Sequence, residues 1–267
     1  MFAATLLCQM LLATAAFAVP TSKERFAQRV ARRAAGLPRQ TLPKQLVTTE
    51  ATALAGNVSH VEYSSNWAGA VLSESTATWK TVTGTFVVPT PKEPSGASGA
   101  HYASAWVGID GDTCDTAILQ TGLDFNVNGN SVSYDAWYEW YPDFAFDFSG
   151  ISFSAGDSVT VTVTASSKTG GTATITNEST GQTVSHTFSG QPSLCEFDAE
   201  WIVEDFSSGG LVPFANFGAV TFTGASAVTA SGSSVGPSGA TLIDIEQNSK
   251  ILTSVSTGSS SVTVTYV

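Results

Sequence analysis

Carboxylates, an amide and aromatic rings are the side chains in this sequence whose spacing could support chemistry. In YDAWYEWYP (134–142), the alternation of a β-strand places four such residues on one face: Asp135, Trp137, Glu139 and Tyr141. In AEWIVEDF (199–206), Glu200 and Glu204 share a face with Phe206. A carboxyl that points inward from such a strand needs a partner or has a raised pKa. Both segments therefore predict an aromatic cleft that contains acidic groups.

Three functions fit two carboxyls in an aromatic cleft. A glycoside hydrolase would pair Glu139 with Glu204 or Asp135 as acid and nucleophile or base. A lectin would stack sugars on Trp137 and Trp140. An acid peptidase would use one carboxyl to activate water. The residue types alone leave all three open.

The segment DGDTCDTAILQT (110–121) crowds three aspartates around a cysteine. Asp110 and Asp112 would occupy the first and third ligand positions of an EF-hand loop. The pattern then fails, because Asp115 stands where the loop needs glycine and Thr121 where it needs a bidentate glutamate. We therefore predict no calcium site here. Gln120 is an amide in an apolar run, and a buried amide needs partners.

Other catalytic machinery is excluded by composition. Only His60, His101 and His186 are present, and the GxSxG match at 232–236 lies in a Ser/Gly/Pro-rich stretch instead of a strand–turn–helix elbow. The sequence contains no HExxH zinc motif, no phosphate-binding glycine loop before a helix, and no Asp-Thr-Gly or Asp-Ser-Gly triplet. We predict neither a metal nor a cofactor.

The N-terminal 59 residues differ sharply from the rest. Residues 1–18 are apolar and end in Ala16-Phe17-Ala18, which predicts a cleaved secretory signal peptide and a secreted protein. Residues 19–59 carry seven Lys or Arg against two glutamates, a net charge of +5. We interpret this segment as a propeptide.

The body, residues 60–267, is strongly acidic. It holds four lysines, no arginine and twenty Asp or Glu, a net charge of −16. Nucleic acid is excluded as a partner because phosphate binding needs a basic surface, and no later apolar run is long enough for a membrane span. With few salt bridges to lose on protonation, the body is expected to tolerate acid.

The body reads as β-structure throughout. SVTVTVTAS (158–166) alternates valine with threonine, which is typical of a half-buried strand. Further strands are predicted at 66–72, 80–88, 173–178, 182–188, 199–206, 240–247 and 261–267. The pattern predicts one all-β domain, a sandwich of two antiparallel sheets. In the exported chain Cys114 and Cys195 remain as one pair, which predicts a disulfide.

Several phrases together resemble the glutamic peptidases, or eqolisins. They are SNWAGAVL (65–72), AWVGIDGDTCDTAILQTGLDF (105–125), YDAWYEWYPD (134–143), AEWIVEDF (199–206) and LVPFANFG (211–218). The resemblance implies a concanavalin A-like β-sandwich with a concave substrate cleft. It also implies a secreted acid endopeptidase that acts on proteins or peptides and is insensitive to pepstatin.

The resemblance also implies roles for individual residues. Gln120 matches the catalytic glutamine and Glu204 the catalytic glutamate, which makes Glu200 the weaker candidate. Cys114 and Cys195 match a family disulfide. The residues implied to line or support the cleft, with Asp110 expected nearest the substrate, are Trp67, Trp106, Asp110, Asp124, Asp135, Trp137, Glu139 and Tyr141.

The charge contrast suggests a role for the basic segment. We expect the propeptide to cover the acidic body at neutral pH as an intramolecular inhibitor, and to be released as carboxylates protonate. The mature protein is expected to be a monomer.

Overall fold

The computed structural model describes residues 38–47 and 61–267. The predicted signal peptide and most of the predicted propeptide lie outside these residues. In the described chain every regular element is a β-strand, and the strands form two sheets. The same residues contain no helix with the length and hydropathy that a membrane span requires.

The first sheet has the order β1-β14-β2-β11-β4-β5-β6-β7, with β15 paired to β14. Its strands are β1 (Val61–Ser64), β2 (Trp67–Ser73), β4 (Ala100–Ile109), β5 (Ile118–Asn128), β6 (Ser131–Tyr141), β7 (Phe146–Asp147), β11 (Asp198–Glu204), β14 (Thr241–Gln247) and β15 (Lys250–Ile251). Its pairings are antiparallel except for β1 with β14, which is parallel.

The second sheet is antiparallel and has the order β10-β9-β8-β3-β12-β17-β16, with β13 paired to β12. Its strands are β3 (Trp79–Val87), β8 (Ser158–Ser167), β9 (Gly170–Asn177), β10 (Gln182–Phe188), β12 (Ala219–Thr229), β13 (Ser234–Val235), β16 (Thr253–Thr257) and β17 (Ser261–Tyr266). The predicted β-sandwich is confirmed.

The core lies between the sheets and follows the alternation of each strand. Val161 and Val163 of β8 are fully buried in it. The threonines between them face outward and pair with threonines of β3, as in Thr162 with Thr83 at 2.7 Å between hydroxyl oxygens. The hydroxyls on this outer face therefore bond to one another without charged side chains. The alternation of valine and threonine predicted this polar face.

The middle of the first sheet is buried on both faces. One face contributes to the core, and the other carries a second cluster that contains Trp67, Trp106, Trp137 and Ile202. Gly122 makes room for this cluster, since a Cβ at that position would lie 2.4 Å from Cβ of Trp106. This outer face of β2, β11, β4, β5 and β6 is where the predicted site residues lie.

Candidate active site

Strand register brings most of the predicted site residues onto one face of five neighbouring strands. Gln120 of β5 lies opposite Glu139 of β6. On the other side, Glu204 of β11 lies opposite Trp67 of β2 and Ser104 of β4. The central residues of this face are buried, and a second segment of the chain contacts Asp124, Glu139 and Glu204. We call that segment, residues 38–47, the strap.

Arg39 of the strap is the centre of the site's charge. Its Nε and Nη2 donate to the two carboxylate oxygens of Asp124 at 2.8 and 2.9 Å, and Nη1 donates to Glu139 at 3.3 Å. The guanidinium carbon lies 3.9 Å from the ring centre of Trp137 and 4.6 Å from that of Phe206. Although burial opposes its charge, the two carboxylates raise the pKa of Arg39 overall. The guanidinium of Arg39 is therefore held by two carboxylates in its plane and two aromatic rings on its faces.

Glu204 is a buried carboxyl that is held on both oxygens. Trp106 Nε1 donates to Oε2 at 3.0 Å, and the backbone N–H of Leu42 donates to Oε1 at 3.4 Å. The Thr41 hydroxyl also hydrogen-bonds this carboxyl. Burial raises the pKa of Glu204 to about 8, against the opposing effects of Arg39 and these donors. Such an environment is typical of a carboxyl that exchanges a proton.

Glu139 faces the same strap residues from the opposite side. The N–H of Thr41 donates to both of its oxygens, at 3.2 and 3.1 Å. Burial raises the pKa of Glu139 well above its ordinary value, and Arg39 and the Thr41 N–H only partly offset this effect. Thr41 therefore sits between two carboxyls, Glu139 and Glu204.

Gln120 is fully buried, and neither its amide nitrogen nor its amide oxygen has a hydrogen-bond partner among the described residues. No direct hydrogen bond joins it to Glu204, because the row of Gly122, Trp106 and Ile202 separates the two in the sheet. An unpaired buried amide is costly. It therefore marks a place where a bound group is expected to supply the missing contacts.

The second half of the strap is held at the β2 side of the cleft. The Leu42 carbonyl accepts from Trp67 Nε1 at 3.0 Å. Lys44 forms ion pairs with Glu62, at 2.5 Å, and with Asp112. The two cations of the strap thus sit on carboxylates at both ends of the cleft.

Asp110, which was expected nearest the substrate, is engaged by a loop instead of by the strap. Its carboxylate accepts the backbone N–H groups of Glu196, Phe197 and Asp198 at 2.9, 2.7 and 3.3 Å. These contacts cap the loop that follows Cys195, and the predicted disulfide between Cys114 and Cys195 is present beside them. Asp110 is a corner residue because its oxygens are already taken by this loop.

The remaining predicted residues lie at the margins. Asp135 accepts from Asn126 at 2.9 Å and is partly exposed, and Tyr141 is partly buried against the aromatic cluster. Glu200 is fully buried four residues before Glu204, and its carboxyl oxygens have no hydrogen-bond partner among the described residues. Burial, followed by the nearby charges of Asp198, Asp110 and Asp112, raises its pKa well above the ordinary value.

Sequence reasoning did not single out Arg39, Thr41, Asn66 or Ser104. Arg39 was counted only as one of seven basic residues, and no local pattern distinguishes it from its neighbours. Asn66 lies within the quoted phrase SNWAGAVL, so its position next to Trp67 was the available signal. No sequence pattern marks Ser104. Its hydroxyl oxygen accepts from Arg39 Nη2 at 3.1 Å and from Trp137 Nε1 at 3.0 Å.

Comparison with known proteins places this arrangement in context. The profile described as the Peptidase A4 family matches residues 65–266. The chain is 53% identical over 283 residues to aspergillopepsin-2 of Aspergillus niger, covering 98% of this chain and 99% of that protein. It is 44% identical over 276 residues to scytalidopepsin B of Scytalidium lignicola, covering 99% and 98%. Among solved structures, scytalido-glutamic peptidase with a transition state analog inhibitor superposes with a TM-score of 0.69 at 44% identity, covering 76% of this chain and 98% of that one.

Proposed function

The chain belongs to the Peptidase A4 family of glutamic peptidases, and from this premise we propose that Glu204 and Gln120 carry out its reaction. The protein is an acid endopeptidase that hydrolyses peptide bonds in protein or peptide substrates. The observation that carries the residue assignment is the buried carboxyl of Glu204, which faces the main-chain N–H of a segment lying in the cleft.

The chemistry requires a base, an acid and an oxyanion donor. Once the strap has left, the burial that raises the pKa of Glu204 is relieved, and Glu204 as a carboxylate takes a proton from a water molecule whose oxygen attacks the carbonyl carbon. The carbonyl oxygen becomes an oxyanion, for which the unpaired N–H of Gln120 is the available donor. The tetrahedral carbon then collapses, the C–N bond breaks, and the protonated Glu204 returns its proton to the departing nitrogen. The contact between Glu204 and the Leu42 N–H supports this last step, because an amide nitrogen occupies the place where that proton is delivered.

The dyad is tested by hydrolysis of denatured protein at pH 3. Glu204→Gln and Gln120→Glu are expected to abolish activity, and Gln120→Ala to lower kcat by roughly 100- to 1,000-fold, the usual cost of one oxyanion donor. Glu200→Gln is the matched control on the same strand and is expected to remain active. Pepstatin, which targets paired aspartates, is expected not to inhibit. Substantial activity of Glu204→Gln would refute the assignment.

The carbohydrate-active alternative is not favoured. The two relatives that match almost the whole chain, aspergillopepsin-2 and scytalidopepsin B, carry the names of peptidases and not of carbohydrate-active proteins. The lectin hypothesis also needed Trp140 in the cleft, whereas Trp140 packs in the core and its Nε1 donates to the Pro192 carbonyl at 3.0 Å.

We further propose that residues 19–59 form an inhibitory propeptide and that the strap is its inhibitory part. The strap supports this proposal because Leu42 contacts the carboxyl of Glu204 and Arg39 pairs with Asp124 and Glu139. Acid weakens the pairing of the strap's cations with carboxylates of the cleft, so we expect the strap to be released under the conditions in which the enzyme works.

A synthetic peptide of residues 36–48 tests the strap against mature enzyme. We expect inhibition that is strong near pH 6 and weakens towards pH 3, and an Arg39→Met peptide that inhibits at least tenfold more weakly. Arg39→Lys is the control for charge without the bidentate fork, and an intermediate effect is expected. Equal inhibition by the wild-type and Arg39→Met peptides would overturn the proposal.

We propose that residues 1–18 direct secretion and that the mature chain begins near residue 60 and is a monomer. The span of the family match, which starts at residue 65, supports this boundary. N-terminal sequencing and mass measurement of the enzyme from culture medium test it. A mature N-terminus upstream of residue 38 would contradict it, because the strap would then remain attached.

A further inference from the structure

Asn66 contacts three backbone groups of the strap at once. Its Nδ2 donates to the carbonyl oxygens of Leu42 and Pro43, both at 3.2 Å. Its Oδ1 accepts the N–H of Gln45 at 2.9 Å. Trp67 Nε1 donates to the same Leu42 carbonyl at 3.0 Å. All four contacts are to main chain, so they do not depend on which side chains the bound segment carries.

The amide of Asn66 is held in a fixed orientation. It is fully buried, and the Ser64 hydroxyl donates to its Oδ1 at 2.8 Å. The oxygen of the same hydroxyl accepts the backbone N–H groups of Asn66 and Trp67, each at 3.2 Å. These contacts settle which end of the amide donates, because the oxygen already receives two donors.

Asn66 is also tied to the strand that carries the proposed base. The N–H of Asp205, the residue after Glu204, donates to the Asn66 carbonyl at 2.9 Å. One residue of the strap spans the two groups, since Leu42 gives its N–H to Glu204 and its carbonyl to Asn66 and Trp67. One residue of bound chain is therefore long enough to reach from the carboxyl of Glu204 to the donors of Asn66 and Trp67.

We propose that Asn66 and Trp67 act as a carbonyl clamp in the peptidase reaction. The clamp binds the main-chain carbonyl of the residue directly after the cleaved bond, and so places that bond's nitrogen at Glu204. Asn66 is a positioning residue in this scheme, and it sets the register of the substrate, not its side-chain preference. The inference rests on the proposed dyad and on a substrate that follows the path of the strap.

The first test removes the carbonyl from the substrate. Two synthetic peptides that share one cleavage site are compared, one of which has an alkene in place of the peptide bond after the residue that follows that site. We expect kcat/KM of the mature enzyme to fall by tenfold to a hundredfold for the alkene peptide, because two hydrogen bonds are lost. Equal cleavage of both peptides would overturn the clamp.

The second test removes donors from the enzyme. Trp67→Phe keeps the ring and lacks the Nε1 donor, and Asn66→Asp keeps the acceptor that Ser64 and Gln45 use. In each variant we expect the penalty for the alkene peptide to shrink several-fold relative to wild type, and products from neighbouring bonds to appear in the mass spectrum. A purely structural role would lower activity on both peptides equally and leave the cleavage sites unchanged, which would refute the proposal.

The two proposals fail in different ways. If Glu204→Gln still hydrolyses the unmodified peptide, the dyad is wrong. If Glu204→Gln is inactive while the wild-type enzyme cleaves the alkene peptide as fast as the unmodified one, the dyad stands and the clamp is wrong. Thermal unfolding of each variant at the assay pH confirms that the folded enzyme is being compared.

Discussion

At the residue scale, the two glutamates of β11 have the same chemistry and opposite surroundings. Glu204 has donors on both oxygens from Trp106 and Leu42. Glu200 has none among the described residues and lies near the carboxylates of Asp110, Asp112 and Asp198. The alternation of AEWIVEDF predicted that the two share a face, but it contains nothing about the neighbours that distinguish them. Only the resemblance to a family selected Glu204.

Glu200→Gln is expected to keep activity and to stabilise the mature protein near neutral pH. The folded pKa of Glu200 is raised, so its proton stabilises the fold below the unfolded pKa, near 4.5, and this stabilisation is lost as the pH rises through the folded pKa. A glutamine has the same shape and does not titrate. Unfolding midpoints at pH 4 and pH 7 measure the effect, and a variant that loses as much stability as wild type between them would contradict it.

At the element scale, alternation predicted the strands that have one solvated face. QTVSHTF was predicted at 182–188, and β10 occupies those residues. The pattern did not single out β4, whose last seven residues are all buried, because core and cleft cover its two faces. It also did not single out β12, where an irregular register between Thr223 and Ser226 breaks the period of two. Both features depend on neighbouring strands that are distant in sequence, so the local pattern of residues does not contain them.

The turn after β9 allows a prediction about the sequon Asn177-Glu178-Ser179. Asn177 is fully buried, and its Nδ2 donates to the Ser152 carbonyl and to Asp157, each at 2.9 Å. Its Oδ1 accepts the N–H of Ser179 at 3.0 Å. We expect no glycan at Asn177 in the folded enzyme, because the nitrogen that would carry it is occupied.

Mass spectrometry of the peptide that contains Asn177, with and without enzymatic deglycosylation, checks this expectation. Asn177→Ala is expected to destabilise the protein by about 2–3 kcal/mol through its orphaned partners, whereas Ser179→Ala, which also destroys the sequon, should change stability much less. A mass shift at Asn177 on deglycosylation would contradict the expectation and show that this turn is open when the glycan is added.

At the scale of the whole molecule, buried carboxyls favour folding of the acidic body at low pH. Burial raises the pKa of Asp110 from 3.8 to about 6 and that of Asp205 from 3.8 to about 7. Among the described residues, four of the five ion pairs involve Arg39 or Lys44 of the strap. The fifth, Lys80 with Glu196, lies within the body. Acid therefore removes little attraction and supplies the protons that the buried groups need. The sequence predicted acid tolerance from composition, but not which carboxyls produce it.

We expect the mature enzyme to be most stable near pH 3–4 and to lose stability as the pH rises towards 7. A carboxyl whose folded pKa lies above its unfolded pKa contributes stability below the unfolded value, and this contribution disappears as the pH passes the folded value. For Asp110 and Asp205 the window runs from about pH 4 to pH 7. The folded and unfolded pKa values differ by about 2 for Asp110 and about 3 for Asp205, so at about 1.4 kcal/mol for each pH unit the loss is on the order of 7 kcal/mol.

Denaturant unfolding of the inactive Glu204→Gln mature chain at pH 3, 5 and 7 measures this loss without self-digestion. Gln247 Nε2 donates to the carboxylate of Asp205 at 2.7 Å. In the Asp205→Asn variant the decline between pH 5 and pH 7 should be smaller, because one titrating group is gone while an acceptor for Gln247 is kept. A free energy of unfolding that is higher at pH 7 than at pH 3 in the mature chain would show that surface ion pairs, and not buried protons, govern its stability.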